Sequence, residues 1–419
     1  MRTEKSRKPE LVSYTKGMTS DFFKANRDSI TEKLKGGVLV LAAYTEMQRS
    51  NDTAFSFEQE ANFWWLTGIE VADWWLIVDG LRGKSWLVAP TLSDNRQIFD
   101  GSLSAEAAKK ISGVNEVISR DDALSLLRQL AKKHSVAHTL GEQPYAEYLD
   151  FTLNPGPKKL YELLERTFNS VSDCRKELAG LRAIKRPEEI TAIKRAISLT
   201  VDAFENMKSR INEFSYEYEV EAEFTYHFRK NGATGHAYDP IVAAGGNACT
   251  LHYIQNDTKL KKRQLLLLDI GARTSGYAAD ITRTYALGEP TARQIAVHEA
   301  VEKAQKQIIT FIKPDTLVED YQRNVDKVMR EAIMSLGLIK DFSDEEGYRK
   351  YFPHAISHGL GVDVHDSLGG PKFMRPGMVL TVEPGIYIPE EGIGVRIEDD
   401  ILVTEKGHSN LSARLSTEL

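Results

Sequence analysis

The stretch LLLLDIGARTSGYAADITRTY, Leu265 to Tyr285, carries two acids in an unusual place: Asp269 ends an apolar run, and Asp280 follows eleven residues later. A carboxylate at the end of a buried strand costs several kcal/mol unless something positive compensates it. Read as two strands joined through RTSG, the stretch is a hairpin that could set both acids on one face. Two readings stand for this hairpin alone. One acid caps a turn while the other pairs with Arg273 or Arg283, or both acids face a cation.

Three further segments bear on the choice. PHAISHGLGVDVHD carries His354, His358 and His365, with Gly359 and Gly361 allowing close backbone approach beside His358. MVLTVEPGIYI drives an apolar strand into Glu383, and GIGVRIEDDILVT sets Glu398 beside Asp399 and Asp400. Acids are depleted from strands and rarely buried unpaired, so four such placements are hard to assign to surface salt bridges. Asp269, Asp280, Glu383 and Glu398 sum to a charge that two divalent cations would neutralise. Four carboxylates and a histidine form an oxygen-rich ligand set. It suits Mn²⁺ better than a thiolate-rich zinc site would, with Zn²⁺, Co²⁺ or Fe²⁺ able to enter. Two such ions side by side would clamp a hydrolytic transition state.

The elements that must position these groups fall into two differently built parts. The first alternates. TSDFFKANRDSITEKLKGG reads as a helix capped by Thr19 or Ser20 and stopped by Gly36 and Gly37. VLVLAAY, DWWLIVDG and KSWLVAP read as strands, the last two joined by the turn-like GLRGK. Helices near Ala105–Ile111 and Asp121–Lys133 then alternate with short strands such as NEVIS and VAHTL, predicting an α/β domain with helices on a sheet. Its end falls near Ser170–Arg182, ahead of KRPEEITAIKRAI, where Pro187 suits a first helical turn and Glu188 and Glu189 suit a helix N-terminus. We divide the chain into residues 1–174 and 175–419. The second part reads as a helix pair (about Pro187–Ile211 and Tyr216–Asn231), strands, a second pair (about Thr291–Ile312 and Leu317–Leu336) and strands again. That is a repeat of architecture without a repeat of sequence.

Composition excludes several classes of protein. A chain of 419 residues is long for a single core, and its 42% hydrophobic and 27% charged residues are those of a water-soluble globular protein. A formal charge of −6 offers no basic excess for a nucleic-acid partner. Cys174 and Cys249 stand far apart in no CxxC arrangement and read as two reduced thiols. The N-terminus MRTEKSRKPELVSYTKG is basic without an apolar segment behind it, and no apolar run reaches membrane-spanning length. The expectation is a cytoplasmic protein with no membrane partner.

At these residues a family resemblance emerges. DIGARTSGYAADITRT, HGLGVDVHD, VEPG and GVRIEDD resemble the metallopeptidases of the pita-bread fold. Within that group the chain looks most like the Xaa-Pro aminopeptidases (aminopeptidase P), with prolidase next. RSNDTAFSFEQEANFWWLTGIE extends the resemblance into the first part. The resemblance implies a creatinase-like N-terminal α/β domain and an α+β pita-bread catalytic domain with a pseudo-two-fold internal repeat.

It also implies roles for particular residues. Asp280 and Glu398 would bridge two metal ions, Asp269 would complete one, and His358 and Glu383 the other. Glu383 would double as general base and proton shuttle. His252, in TLHY, would face the scissile region, and His354 and His365 would hold the substrate carbonyl and its developing oxyanion. Tyr238 would lie near the metals and Arg396 behind them. As packing residues alone, Tyr238 and Arg396 would be an aromatic and an ion-pair partner, His252 an ordinary strand histidine, and His236 structural. The aromatic trio Phe63, Trp64 and Trp65 reads as core.

The implied substrate is a peptide with proline in second position, and relatives imply a homo-oligomer, dimer or tetramer. An Xaa-Pro bond has no N–H and a fixed φ, so a site of metals and histidines that needs no N–H at that nitrogen suits it. Two departures bear on substrate length. Asn62 stands where some aminopeptidase P members carry an acid, and the connection PGIYIPEEGIGVRI between Glu383 and Glu398 is short, closer to prolidase. A dipeptidase is therefore the main alternative. A non-catalytic pita-bread binding module or a creatinase-type amidinohydrolase would lack the metal ligands that are all present here. Methionine aminopeptidase lacks a large N-terminal domain.

Overall fold

The computed structural model describes residues 17–141 and 152–419, so the basic N-terminal segment lies outside the described residues. The chain divides into two compact units, one through Leu181 and one from Arg182. That division falls inside the Arg175–Ala183 helix, a few residues after the position 174 expected from sequence.

In the first unit, six strands form one mixed sheet in the order Glu116–Ile118, Lys84–Val88, Trp75–Asp79, Val38–Ala42, Val136–Thr139, Ser170–Asp173. The Trp75–Asp79 and Lys84–Val88 strands form the expected antiparallel hairpin, while the outer pairings are parallel. Val40, Ile77, Trp86, Leu127 and Leu160 pack the sheet against its helices. The first helix, Ser20–Lys33, has Thr19 at its N-cap, yet the Thr19 side chain makes no cap bond. Burial of Phe22, Phe23 and Ile30 holds it instead. Phe63, Trp64 and Trp65 are core, as expected. Asn62 is also buried and donates to Glu60, whose other oxygen caps the same helix at Phe63 N.

In the second unit the helices Pro187–Ser209 and Glu217–Lys230 precede one set of strands, and Ala292–Ile309 and Val318–Ser335 precede another. Pro187 starts the first helix, with the Arg186 N–H bound by Glu189 at 2.9 Å. A short helix, Glu345–Tyr351, was not legible in the sequence: seven polar-rich residues show too little periodicity. Val297, Val301, Ile308, Met329, Ile333, Val382, Ile397 and Ile401 share one core between the second helix pair and its strands.

The Asp269–Asp280 hairpin differs in detail from its sequence reading. Leu265–Ile270 pairs antiparallel with Ile281–Ala286, Asp269 opposite Thr282. The residues between them leave this ladder and form another, Ala272–Thr274 against Tyr277–Ala278 and Gly235–His236. Gly271 permits the crossing, because a Cβ there would lie 1.8 Å from the Ala279 carbonyl oxygen. Asp280 therefore sits in the gap between two ladders. Glu383 and Glu398 likewise fall in breaks, after Val382 and after Arg396. Three of the four acids thus occupy interruptions, and only Asp269 lies within a strand. A break lets a carboxylate turn away from the strand's own direction while its backbone N–H bonds elsewhere: Glu383 N to Ile356 O, and Glu398 N to Thr282 O, both at 3.0 Å.

Candidate metal centre and active site

The four acids converge. Asp269, Asp280 and Glu398 bring ligand atoms within 4.8 Å of one another, as do His358, Glu383 and Glu398, and as do Asp280, His358 and His365. Glu398 belongs to two of these groups and joins Asp269 on one side to His358 and Glu383 on the other. His358 Nε2 lies 3.3 Å from Asp280 and 3.4 Å from Glu383. Its Nδ1 lies 3.0 Å from its neighbour's carbonyl, Gly359 O, which aims Nε2 at the acids.

Hydroxyls and one guanidinium orient the carboxylates. The Tyr238 hydroxyl lies 2.6 Å from both Asp269 Oδ1 and Asp280 Oδ1. Thr282 donates to Glu398 at 2.7 Å, and Thr381 donates to Glu383 at 3.1 Å. Arg396 reaches Asp269 at 2.6 Å, Tyr387 at 2.8 Å and Thr282 at 3.2 Å. Arg283, open in the sequence as a partner for one of the hairpin acids, turns instead to Asp399 at 2.7 Å and to the Glu398 carbonyl at 2.6 Å. Thr282, Thr381, Tyr387 and Arg283 join the site only through these contacts. Each stands one or two residues from a legible one or within its motif, but a hydroxyl in a strand carries no signal of which acid it will meet.

The electrostatics follow from burial. Desolvation, then repulsion from Asp280 and Glu383, pushes Glu398 well above the usual carboxylate range. Desolvation also raises Asp280, and raises Glu383 to about 7. Burial alone would lower His358, but its bond to Asp280 and the charge of Glu383 outweigh it and lift the imidazole to about 9. Protein groups alone therefore favour protons on these residues, and cations relieve the same repulsion. The donor set is oxygen-rich, contains no thiolate and falls into three overlapping groups, and its four carboxylates carry the charge that two hard or borderline divalent ions would neutralise.

The remaining histidines differ from one another. Desolvation, aided by Arg396, lowers His354 to about 4, and desolvation aided by His358 and His252 lowers His365 to about 4. Both rings are neutral near pH 7. Arg396 donates to the Tyr387 oxygen, so the Tyr387 hydroxyl proton is left for His354 Nε2 at 2.8 Å, and His354 Nδ1–H is left for Ala355 O at 2.8 Å. Both nitrogens of His354 thus have protein partners. His365 and His252 are exposed, and the His365 ring packs edge-on against His358 at 4.3 Å. His236 is held apart by Thr225 and Phe228.

A creatinase-like α/β unit ahead of a duplicated helix–strand unit, with clustered acids at its strand breaks, defines a peptide-bond hydrolase of the pita-bread class. Residues 191–405 match Metallopeptidase family M24, and residues 23–139 match the Aminopeptidase P, N-terminal domain. The chain belongs to the aminopeptidase P family of M24 metallopeptidases. It is 32% identical to the Xaa-Pro aminopeptidase of Escherichia coli strain K12, covering 93% of this chain and 94% of that protein. It is 34% identical to Homo sapiens Xaa-Pro aminopeptidase 3, over 88% of this chain and 77% of that one. Among solved structures, aminopeptidase P from E. coli with the inhibitor Pro-Leu superposes with a TM-score of 0.83 at 29% identity, covering 96% of both chains. Proline aminopeptidase P II from Yersinia pestis gives 0.82 at 31% identity, covering 96% of this chain and 98% of that one. The family implies divalent metal ions.

Proposed function

We propose that this chain removes the N-terminal residue from peptides whose second residue is proline, using two divalent ions, Mn²⁺ foremost. One observation carries the reading: the interlocked ligand groups that share Glu398 make a two-ion site, in a chain similar over nearly its whole length to Xaa-Pro aminopeptidases. Asp269, Asp280, Glu398, His358 and Glu383 hold the ions. When bound, the ions supply Lewis acidity to the scissile carbonyl and make the attacking water acidic.

The chain's own groups do the rest. Glu383, steadied by Thr381, takes the proton from the attacking water and returns it to the departing proline nitrogen. His365 and His252 stand on the exposed side, where a substrate carbonyl can reach an imidazole N–H. His354 is held through Tyr387 and Arg396 to Asp269, so a contact from His354 to the carbonyl exchanges one of its two protein partners. Tyr238 and Arg396 fix the metal-binding oxygens, and Arg396 offsets one of the four negative charges.

A dipeptidase is the second reading, because the connection between Glu383 and Glu398 is a tight hairpin. Gly385–Ile388 pairs with Ile393–Arg396 and closes over Pro389–Glu391. Hydrolysis of Xaa-Pro and Xaa-Pro-Yaa peptides side by side with Mn²⁺ decides between them, and cleavage limited to dipeptides would select the second. We further place the enzyme in the cytoplasm, as a homo-oligomer acting on peptides and on neither nucleic acid nor membranes. No helix among the described residues is long and apolar enough to cross a membrane.

A further inference from the structure

Behind the histidine-bearing loop lies a buried ion cluster that the chemistry above does not use. Asp366 Oδ1 is 2.9 Å from Arg182 Nη2, and Asp366 Oδ2 is 3.3 Å from Lys185 Nζ. The three side chains are 3%, 5% and 1% exposed, so this is an interior clamp and not a surface pair. Lys185 also donates to the Arg182 carbonyl at 2.8 Å, and Arg182 reaches the exposed Asp363 at 2.9 Å.

The clamp closes a ring of chain that begins beside His358 and ends beside His365. Asp366 N donates to Gly359 O at 2.8 Å, Gly361 N to Asp363 O at 3.0 Å, and Ala278 N to Gly361 O at 2.9 Å. Gly361 must lack a side chain, because a Cβ there would lie 1.9 Å from Asp366 Oδ2. Among the described residues no hydrogen bond holds the His365 ring, which touches His358 at a centroid distance of 4.3 Å. Its position is therefore set by the backbone, and the backbone at residue 365 is set by the anchored side chain that follows it.

We infer that Asp366, gripped by Arg182 and Lys185, is a positioning residue that fixes the His365 imidazole beside His358 for contact with the substrate carbonyl. The inference rests on the role given to His365 above. Arg182 and Lys185 precede the Pro187–Ser209 helix, far in sequence from the loop they hold. Two cations meet one carboxylate there, with the second acid, Asp363, at the rim. A neutral residue at 366 would leave both cations buried with less compensation and free the loop to shift.

Asp366→Asn, which keeps the shape and removes the charge, tests this in the full chain. Metal content, kcat and KM on an Ala-Pro-Yaa peptide are measured in the wild-type and His365→Ala backgrounds, and the histidine side-chain resonances are followed by nitrogen-detected NMR. In the wild-type background kcat should fall about 10-fold with metal content kept, the size expected when a group orienting an active-site side chain is lost. In the His365→Ala background the same change should alter kcat less than about twofold, since coupled residues are not additive. Asp363→Asn, at the exposed rim, should leave turnover unchanged. Equal losses in both backgrounds, or no loss in either, would overturn the proposal. If Asp366→Asn does not fold, Lys185→Met is read by the same criteria. Normal turnover in His365→Ala alone would remove the catalytic role of that ring. The clamp is then judged by NMR, where unmoved His365 resonances in Asp366→Asn overturn it and displaced ones uphold it.

Discussion

Arg396 Nη2 and Asp269 Oδ2 lie 2.6 Å apart, both side chains nearly buried, and this bond links the proposed metal centre to the hydrogen-bonded chain through Tyr387 to His354. The same guanidinium also reaches Thr282, which orients Glu398. The three bonds leave from three different nitrogens spread across a planar fork, whereas an ammonium gathers its donors on one atom and cannot span partners placed this way. Arg396→Lys keeps the charge, so metal content should hold while turnover falls roughly 10–100-fold, the range for loss of a group that orients ligands. Metal analysis with steady-state kinetics checks it. Wild-type turnover in the lysine variant would show that charge alone matters at this position.

Chelation should abolish hydrolysis, and Mn²⁺ should restore it. The acids around Glu398 are raised by burial and mutual repulsion, so they need cations to ionise together. Dialysis against chelator, elemental analysis and an assay with metal added back give the answer. Activity in a demonstrably metal-free sample would overturn the proposed mechanism.

Glu383→Gln retains an oxygen at the ligand position but cannot accept the proton. Turnover should drop on the order of 10²–10⁴-fold while metal content changes far less. A near-normal rate would pass the base role to a histidine, with exposed His365 and His252 the next variants to measure.

The Tyr238 hydroxyl stands between two carboxylates and can give its proton to only one at a time. Tyr238→Phe removes that donor and leaves Asp269 and Asp280 to repel each other at full strength. Metal affinity should weaken roughly 10–100-fold, read by competition with a chelating dye. Unchanged affinity would mean that Arg396 and the ions alone orient Asp269.

Acid stability offers a test away from the metals. Burial lowers His236 to about 4, whereas an unfolded histidine titrates near 6.5. Between those values the unfolded chain binds the proton and the folded one does not, so this share of stability is present at pH 7 and is lost as pH falls from about 6.5 to about 4. The full share is on the order of 3 kcal/mol. The wild type should therefore lose more stability over this window than His236→Gln, followed as the shift in urea midpoint. Parallel losses would show that the buried ring does not govern the difference.

The four acids proposed as metal ligands were legible because strands that run into acids contradict the ordinary pattern of burial, and four contradictions in one chain need a common cause. The helix pairs were legible from long apolar periodicity, and Pro187 with Glu189 marked a helix start that the structure bears out. Glu345–Tyr351 was too short for that signal.

By itself, then, the sequence determined the residue types, the apolar spacing and hence the two-part architecture and the likeness to aminopeptidase P. Tertiary structure alone decided which partner each polar group meets. Arg283 lies three residues from Asp280 in sequence yet pairs with Asp399, more than a hundred residues away. Asp366 is anchored by Arg182 and Lys185 across a longer span still, and His354 has both nitrogens bonded inside the protein while, among the described residues, His365 has neither. The reason is physical. Apolar periodicity is a property of neighbouring residues, but a hydrogen bond depends on ångström-scale placement of groups that only the packed chain brings together.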